Sequence, residues 1–369
     1  MKRLWSSLFL SACLAFVATA QAQIKVGQTA GFSGPAAAGV KETSDGAKLY
    51  LDAVNAKGGI NGQAIELVSM DDKFDPKNAA ENAKKLIDDG VIALFLSRGT
   101  PHSQALLPLL EQHKLALIGP STGAMALHQP VNPWVFNVRA TYQREAEKAV
   151  QHLFLIGMQR VAIVQVDDTF GADAAIGALK GFTASGKQPV VHEKYDRKKP
   201  DFSTIVPKVV AAEAQAVMFI GSGDTVVDGI HQLRAAGSRA QLVTLSNNAS
   251  SGFVKSLKEH ARGTIVSQVF PYERSLGAPI VKEAHDLAVA KGGTEVTPAM
   301  LEGFAAAKVL VEGLRRAGKD MTRSGLQRAL EGMQKVNIGG LDISYSAKDH
   351  TGLDYAELSI VGADGRFRR

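Results

Sequence analysis

The sequence predicts an α/β protein built on doubly wound parallel sheets, and three observations carry that prediction. Strand-like and helix-like segments alternate from Ile24 to Val269, the pattern of repeated βαβ units. Ile92–Leu96 and Leu115–Ile118 are short continuous apolar runs, as in strands buried on both faces of a parallel sheet. Each of these two runs ends in a small polar loop, Ser97-Arg98-Gly99-Thr100 and Gly119-Pro120-Ser121-Thr122-Gly123. Open α/β sheets bind ligands outside the carboxyl ends of their strands. Hydroxyls and backbone amides from two adjacent strand ends therefore converge as half of a binding cleft.

The elements follow in order. Ile24–Ala30 is a strand, Gly39–Ala56 a helix and Ala64–Met70 a second strand. Pro76 opens the next helix at its first position, where proline loses nothing, and Gly90 ends it. Ala105, Leu106, Leu109 and Leu110 give the helix between the two apolar runs its buried stripe. After the short strand Trp134–Val138 a second series begins, with strands at Arg160–Val166, Val190–Lys194, Ala216–Ile220, Gln241–Leu245 and Thr264–Val269. Its helices are Tyr142–Ile156, Gly171–Ser185, Phe202–Ala212, Thr225–Ala236 and Ser251–His260. Beyond Tyr272 the alternation stops. Gly277–Lys291, Thr297–Ala317 and Arg323–Met333 read as consecutive helices; Leu341–Tyr345, a turn at Ala347–Gly352 and Ala356–Val361 read as a closing hairpin, followed by Asp364-Gly365 and a last short strand.

At 369 residues, 45% hydrophobic and 21% charged, the chain can build two ordinary cores. The net charge of +6 carries no Lys/Arg cluster interleaved with aromatics, so nucleic acid is not expected as a partner. Lys2 and Arg3, the apolar stretch Leu4–Ala20 and the small-x-small site Ala20-Gln21-Ala22 read as a secretory signal peptide over residues 1–22. The expected location is the periplasm. Leu10-Ser11-Ala12-Cys13 resembles a lipobox, but cleavage there would leave Leu14–Ala20 at the mature end. With Cys13 the sole cysteine, the mature chain has no disulfide. No metalloprotease, P-loop or dinucleotide motif occurs, and no histidine pairs recognisably with an Asp and a Ser. An enzyme is not expected, nor a cofactor, nor a metal site. His102 and His113 read as surface residues.

Several motifs resemble one family. Gly31-Phe32-Ser33-Gly34-Pro35, Asn55-Ala56-Lys57-Gly58-Gly59-Ile60-Asn61-Gly62, Asp71-Asp72 with Asp75-Pro76, Gly119-Pro120-Ser121-Thr122, Arg139 and Thr169-Phe170-Gly171 are similar to the periplasmic substrate-binding proteins of branched-chain amino acid (leucine/isoleucine/valine-binding) ABC transporters. The resemblance implies a type I periplasmic-binding fold of two Rossmann-like lobes joined by a three-segment hinge. Lobe 1 would be 24–141 plus 271–345, and lobe 2 would be 142–270 plus 346–369. It further implies a monomer that captures a small ligand between the lobes and delivers it to an ABC permease in the inner membrane. A periplasmic sensor of the same fold is the alternative.

The resemblance also carries a ligand set. Thr100 falls on the family's hydroxyl contact to the ligand carboxylate, and Ser121 and Gly123 on its other contacts, with Thr122 beside them. Phe170 aligns with an aromatic that covers the ligand, and Ser222 stands where another aromatic would. An acid that pairs the ligand ammonium is replaced by Ser246, leaving Asp224 as the nearest acidic candidate. Gly39 replaces an aromatic wall, which implies a wider pocket. Arg98 is placed to bind a carboxylate bidentately. Together these departures point to a carboxylate-bearing ligand, aromatic or amide-like, rather than leucine.

Overall fold

Continuous apolar runs form strands where parallel neighbours satisfy their backbone and helices cover both faces. The computed structural model describes residues 23–293 and 295–369, so the expected signal peptide lies outside the described residues. Strands β1 (Ile24–Ala30), β2 (Ile65–Asp71), β3 (Ala93–Phe95), β4 (Ala116–Ile118) and β5 (Val135–Phe136) form one sheet in the order β2-β1-β3-β4-β5. Helices α1 (Ala37–Ala56), α2 (Pro76–Asp88) and α3 (Thr100–His113) connect its first four strands. The second sheet contains β6 (Val161–Val166), β7 (Val191–Tyr195), β8 (Ala216–Ile220), β9 (Gln241–Thr244) and β10 (Ile265–Gln268). Its parallel part runs β7-β6-β8-β9-β10, which repeats the strand order of the first sheet. Helices α4 (Tyr142–Leu155), α5 (Thr169–Ala184), α6 (Ile205–Ala211), α7 (Gly223–Ala235) and α8 (Ser251–Ser256) belong to this series.

Local chemistry sets several boundaries. Asp75 caps α2 by accepting from Lys77 N and Asn78 N, with Pro76 at the first position. Asp168 caps α5 through Phe170 N and Gly171 N, so that helix begins before Gly171. The segment predicted as one helix over Ser251–His260 is instead the short α8 followed by a 3-10 turn at Lys258–His260.

Helices α9 (Pro279–Ala290), α10 (Pro298–Ala317) and α11 (Arg323–Glu331) contribute Ile280, Phe304, Leu310 and Leu326 to the core of the first sheet. The predicted closing hairpin does not form. Leu341 instead follows a turn at Gly339 and Gly340, whose φ values of 111° and 88° suit glycine. That turn pairs β11 (Val336–Asn337) with β12 (Asp342–Ile343). The segment β13 (Glu357–Val361) joins β10 and β14 (Phe367–Arg368), both antiparallel, at the edge of the second sheet. Leu353 still packs in the core of the first sheet.

The chain therefore passes between the two sheets three times: at Arg139–Tyr142, at Phe270–Tyr272 and between Leu353 and Glu357. The first and third passages run side by side. Leu353 N donates to Val138 O at 3.1 Å, and Asn137 N donates to His350 O at 3.0 Å.

Helices α1 and α10 lie nearly backbone to backbone. A Cβ added at Gly303 would collide with the Thr43 carbonyl, and one at Gly46 with the Met300 carbonyl. Gly303→Val should therefore destabilise the fold by about 3 kcal/mol or more in urea unfolding.

At the end of β2, Asp72 is fully buried and accepts from Phe74 N at 2.9 Å and the Thr29 hydroxyl at 3.2 Å. Burial pushes its carboxyl up to about 7, against those hydrogen bonds. An acid raised in the folded state costs stability that grows as pH climbs from the unfolded value to the folded one. Asp72→Asn should thus raise the melting temperature more at pH 8 than at pH 4, both read by thermal unfolding.

Candidate functional site

Both sheets turn the carboxyl ends of their strands toward one junction. The first contributes the loops after β3 and β4, which the parallel bridge between Arg98 and Ser121 holds together. The second contributes the loops after β8 and β9. Arg98 spans the junction. Its Nη1 donates to Ser121 Oγ at 2.8 Å, and its Nη2 donates to the Asn247 carbonyl of the opposite unit at 2.5 Å. Arg98 is 5% exposed. Among the described residues, no carboxylate lies within 4.0 Å of its guanidinium.

Behind Arg98 runs a chain of buried polar groups. The Ser121 hydroxyl donates to Glu302 Oε1 at 2.6 Å. Glu302 lies 3.6 Å from Arg139 Nη1. Arg139 Nη2 donates to Glu145 and, at 2.6 Å, to Ser246 Oγ. The second Glu145 oxygen accepts from Ser246 N at 3.0 Å and from the Ser267 hydroxyl at 2.5 Å. Burial opposes a charge on Arg139, but Glu145 and Glu302 outweigh it and raise its pKa above the ordinary value. The guanidinium also sits 4.7 Å over the Tyr142 ring.

The residues singled out from sequence fall into two groups. Arg98, Ser121, Ser222 and Ser246 meet at the junction, with Thr100 and Thr122 bonded to each other through their hydroxyls at 2.7 Å. Ser222 Oγ accepts from Asn247 Nδ2 at 3.3 Å. Gly123 lies against the backbone of Ala140, Thr141 and Tyr142 at the first passage, where a Cβ would not fit. Phe170 is 3% exposed and packs 4.6 Å from the Tyr142 ring. The Asp224 side chain is exposed, and its backbone N–H donates to Pro35 O at 3.1 Å.

Two expectations need correction. Gly39 does not widen the space. The position of its missing Cβ is 3.4 Å from Arg98 Nη2 and 3.7 Å from Asn247 O, so the guanidinium occupies the space beside this glycine. His102 is fully buried rather than a surface residue, stacked 4.5 Å from the Phe74 ring, and burial pushes it down to about 4.

Gly119–Gly123 also spells Gly-x-Ser-x-Gly, the letter pattern of a hydrolase nucleophile elbow. Ser121 has an arginine and a glutamate as its partners, however, and a 3-10 turn at Met125–Leu127 rather than a helix follows it. Sequence reasoning missed Glu145 and Glu302. The latter left a signal as a lone acid in the apolar run of α10, between Leu301 and Gly303.

Further contacts tie the units on either side. Glu42 on α1 accepts from Ser251 N at 3.0 Å and Gly252 N at 2.9 Å. Arg197 pairs with Asp168 and lies 5.1 Å over Phe74. The Thr169 hydroxyl donates to Gln104 at 2.7 Å.

Removing Arg139 would leave Glu145 and Glu302 buried without their cation. Arg139→Met should cost about 3–5 kcal/mol in urea unfolding.

Comparison with known proteins places this geometry. A family model described as periplasmic binding protein matches residues 23–365. The Leu/Ile/Val-binding protein BraC3 of Rhizobium johnstonii is 26% identical over 334 residues, 89% of this chain and 88% of that one. A substrate-binding periplasmic protein of Ralstonia solanacearum superposes with a TM-score of 0.86 at 30% identity, covering 94% of this chain and 99% of the other. A type 1 periplasmic binding protein of Bordetella pertussis shares the fold at a TM-score of 0.83 and 20% identity, covering 94% and 99%. Two sheets whose parallel parts share one strand order, three passages between them and a family match over nearly the whole described chain lead to one conclusion: this chain belongs to the periplasmic binding protein family.

Proposed function

We propose that the protein is an extracytoplasmic solute-binding protein that captures a small carboxylate-bearing ligand between two lobes and delivers it to an ABC permease of the inner membrane. One observation carries the ligand class. Arg98 is a buried cation at the strand-end junction whose partners are a hydroxyl and a backbone carbonyl, not an acid. A buried guanidinium is most stable beside a carboxylate, which it can hold through two parallel hydrogen bonds. The same reading keeps the aromatic or amide-like character expected from sequence, with Tyr142 under Arg139 and Phe170 packed on Tyr142 as the candidate rings.

In this reading the boundary expected at residue 345 shifts: lobe 1 is 24–141 plus 271–353 and lobe 2 is 142–270 plus 354–369, because Leu353 packs in the core of the first sheet. A ligand held by both lobes favours the arrangement in which they meet. The permease would recognise that arrangement. The protein acts as a monomer in the periplasm, and the family to which it belongs consists of binding proteins rather than enzymes.

Isothermal titration with a panel of amino acids and aromatic acids tests the reading. Carboxylates lacking an ammonium group should bind, and Arg98→Met should weaken them by roughly 30-fold or more. Tight leucine binding without binding of any aromatic acid would overturn it.

A further inference from the structure

We propose that Asn247 selects the ligand's second group: an uncharged hydrogen-bond donor, a hydroxyl or an amide N–H, in place of the ammonium of a free amino acid. The inference rests on the assignment of Arg98 to the ligand carboxylate and names the class of acid that site takes.

Asn247 follows β9 and is 6% exposed. Its Nδ2 donates to the Gly221 carbonyl at 2.8 Å and to Ser222 Oγ at 3.3 Å. Because a carbonyl can only accept, the amide orientation is set and Oδ1 is the remaining acceptor. That Oδ1 is buried and has no donor among the described residues. The backbone carbonyl of the same residue receives Arg98 Nη2 at 2.5 Å. A molecule gripped by the guanidinium therefore lies within one residue's span of an unmet acceptor.

The charges at the junction decide what kind of donor suits it. Its two buried acids, Glu145 and Glu302, are both engaged with Arg139. Ser246, at the position where an ammonium partner was expected, gives its hydroxyl oxygen to Arg139 and its N–H to Glu145. Asp224 is exposed. An ammonium buried here would meet a neutral amide oxygen and a neighbouring guanidinium, which is costly. A hydroxyl or an amide N–H satisfies Oδ1 without bringing charge. Gly39 matters for the same reason: it leaves room for Arg98 beside Asn247, 3.4 Å and 3.7 Å from the position of the missing Cβ.

The test is isothermal titration of the purified protein with two matched series. One comprises isocaproate, its hydroxy acid leucate, leucine and N-acetylleucine. The other comprises hydrocinnamate, phenyllactate, phenylalanine and N-acetylphenylalanine. In at least one series the hydroxy or N-acetyl member should bind about tenfold or more tightly than both the plain acid and the amino acid. Asn247→Ala should bring the hydroxy and plain acids to within about twofold of each other, the readout being this ratio rather than the affinity of either acid. Gly221 O keeps Asn248 Nδ2 at 3.1 Å in that variant, and an unchanged melting temperature verifies its fold. The inference is overturned if an amino acid binds most tightly to the parent protein, if the plain acid equals the hydroxy and N-acetyl members, or if their advantage survives Asn247→Ala. If no carboxylate in either series binds, the assignment of Arg98 itself fails and this inference fails with it.

Discussion

The buried arginine at the first passage between the sheets is the constraint on which the rest of the junction depends. Arg139 is a permanent charge with no access to water, so the fold must bring it carboxylates. It takes one from α4, four residues after its capping threonine, and one from α10, more than 150 residues along the chain. Those two acids in turn recruit Ser121, Ser246 and Ser267. Strand ends from both sheets are thereby tied to one cation. Such a network contributes less to net stability than to uniqueness of arrangement, because desolvation offsets much of the Coulomb gain.

The same network explains why the position after β9 carries no acid. Ser246 is small and faces Arg139, and an additional carboxylate there would be a third acid around one guanidinium. The serine satisfies both the cation and Glu145 through two atoms of one residue. In the proposed site the ligand-facing role falls to its neighbour Asn247. The absence of a side chain at Gly39 and the guanidinium of Arg98 are likewise two sides of one arrangement, since the guanidinium lies against the glycine.

Contact between the two units is distributed across the junction rather than concentrated in it. Glu42 holds the start of α8 on one side, Arg197 with Asp168 leans on Phe74 on the other, and Arg98 reaches Asn247 between them. Separating the sheets must break the Glu42 and Arg98 hydrogen bonds and lift Arg197 off Phe74. A ligand that competes for Arg98 while bridging the units would replace the central contact with a stronger one. The path from Arg98 through Ser121 and Glu302 to Arg139 connects that event to the first passage by direct hydrogen bonds and one ion pair.

The doubly wound class, nearly every strand and the glycine and proline punctuation were legible in the sequence, because apolar periodicity and cap chemistry act over a few residues. So were the loops that meet at the junction, since the carboxyl ends of the strands follow from strand order. The terminal hairpin was misread because two short apolar runs do not say which partner they will pair with. Gly339 and Gly340 turned one of them back onto Val336–Asn337, and β10 offered the other an open edge. Burial of His102 depended on Phe74 arriving from another loop. The partnership of Glu145 and Glu302 around Arg139, the filling of Gly39 by Arg98 and the unmet oxygen of Asn247 were decided only by tertiary structure. Each depends on groups far apart in the chain, and one sequence does not encode their separation in any local pattern.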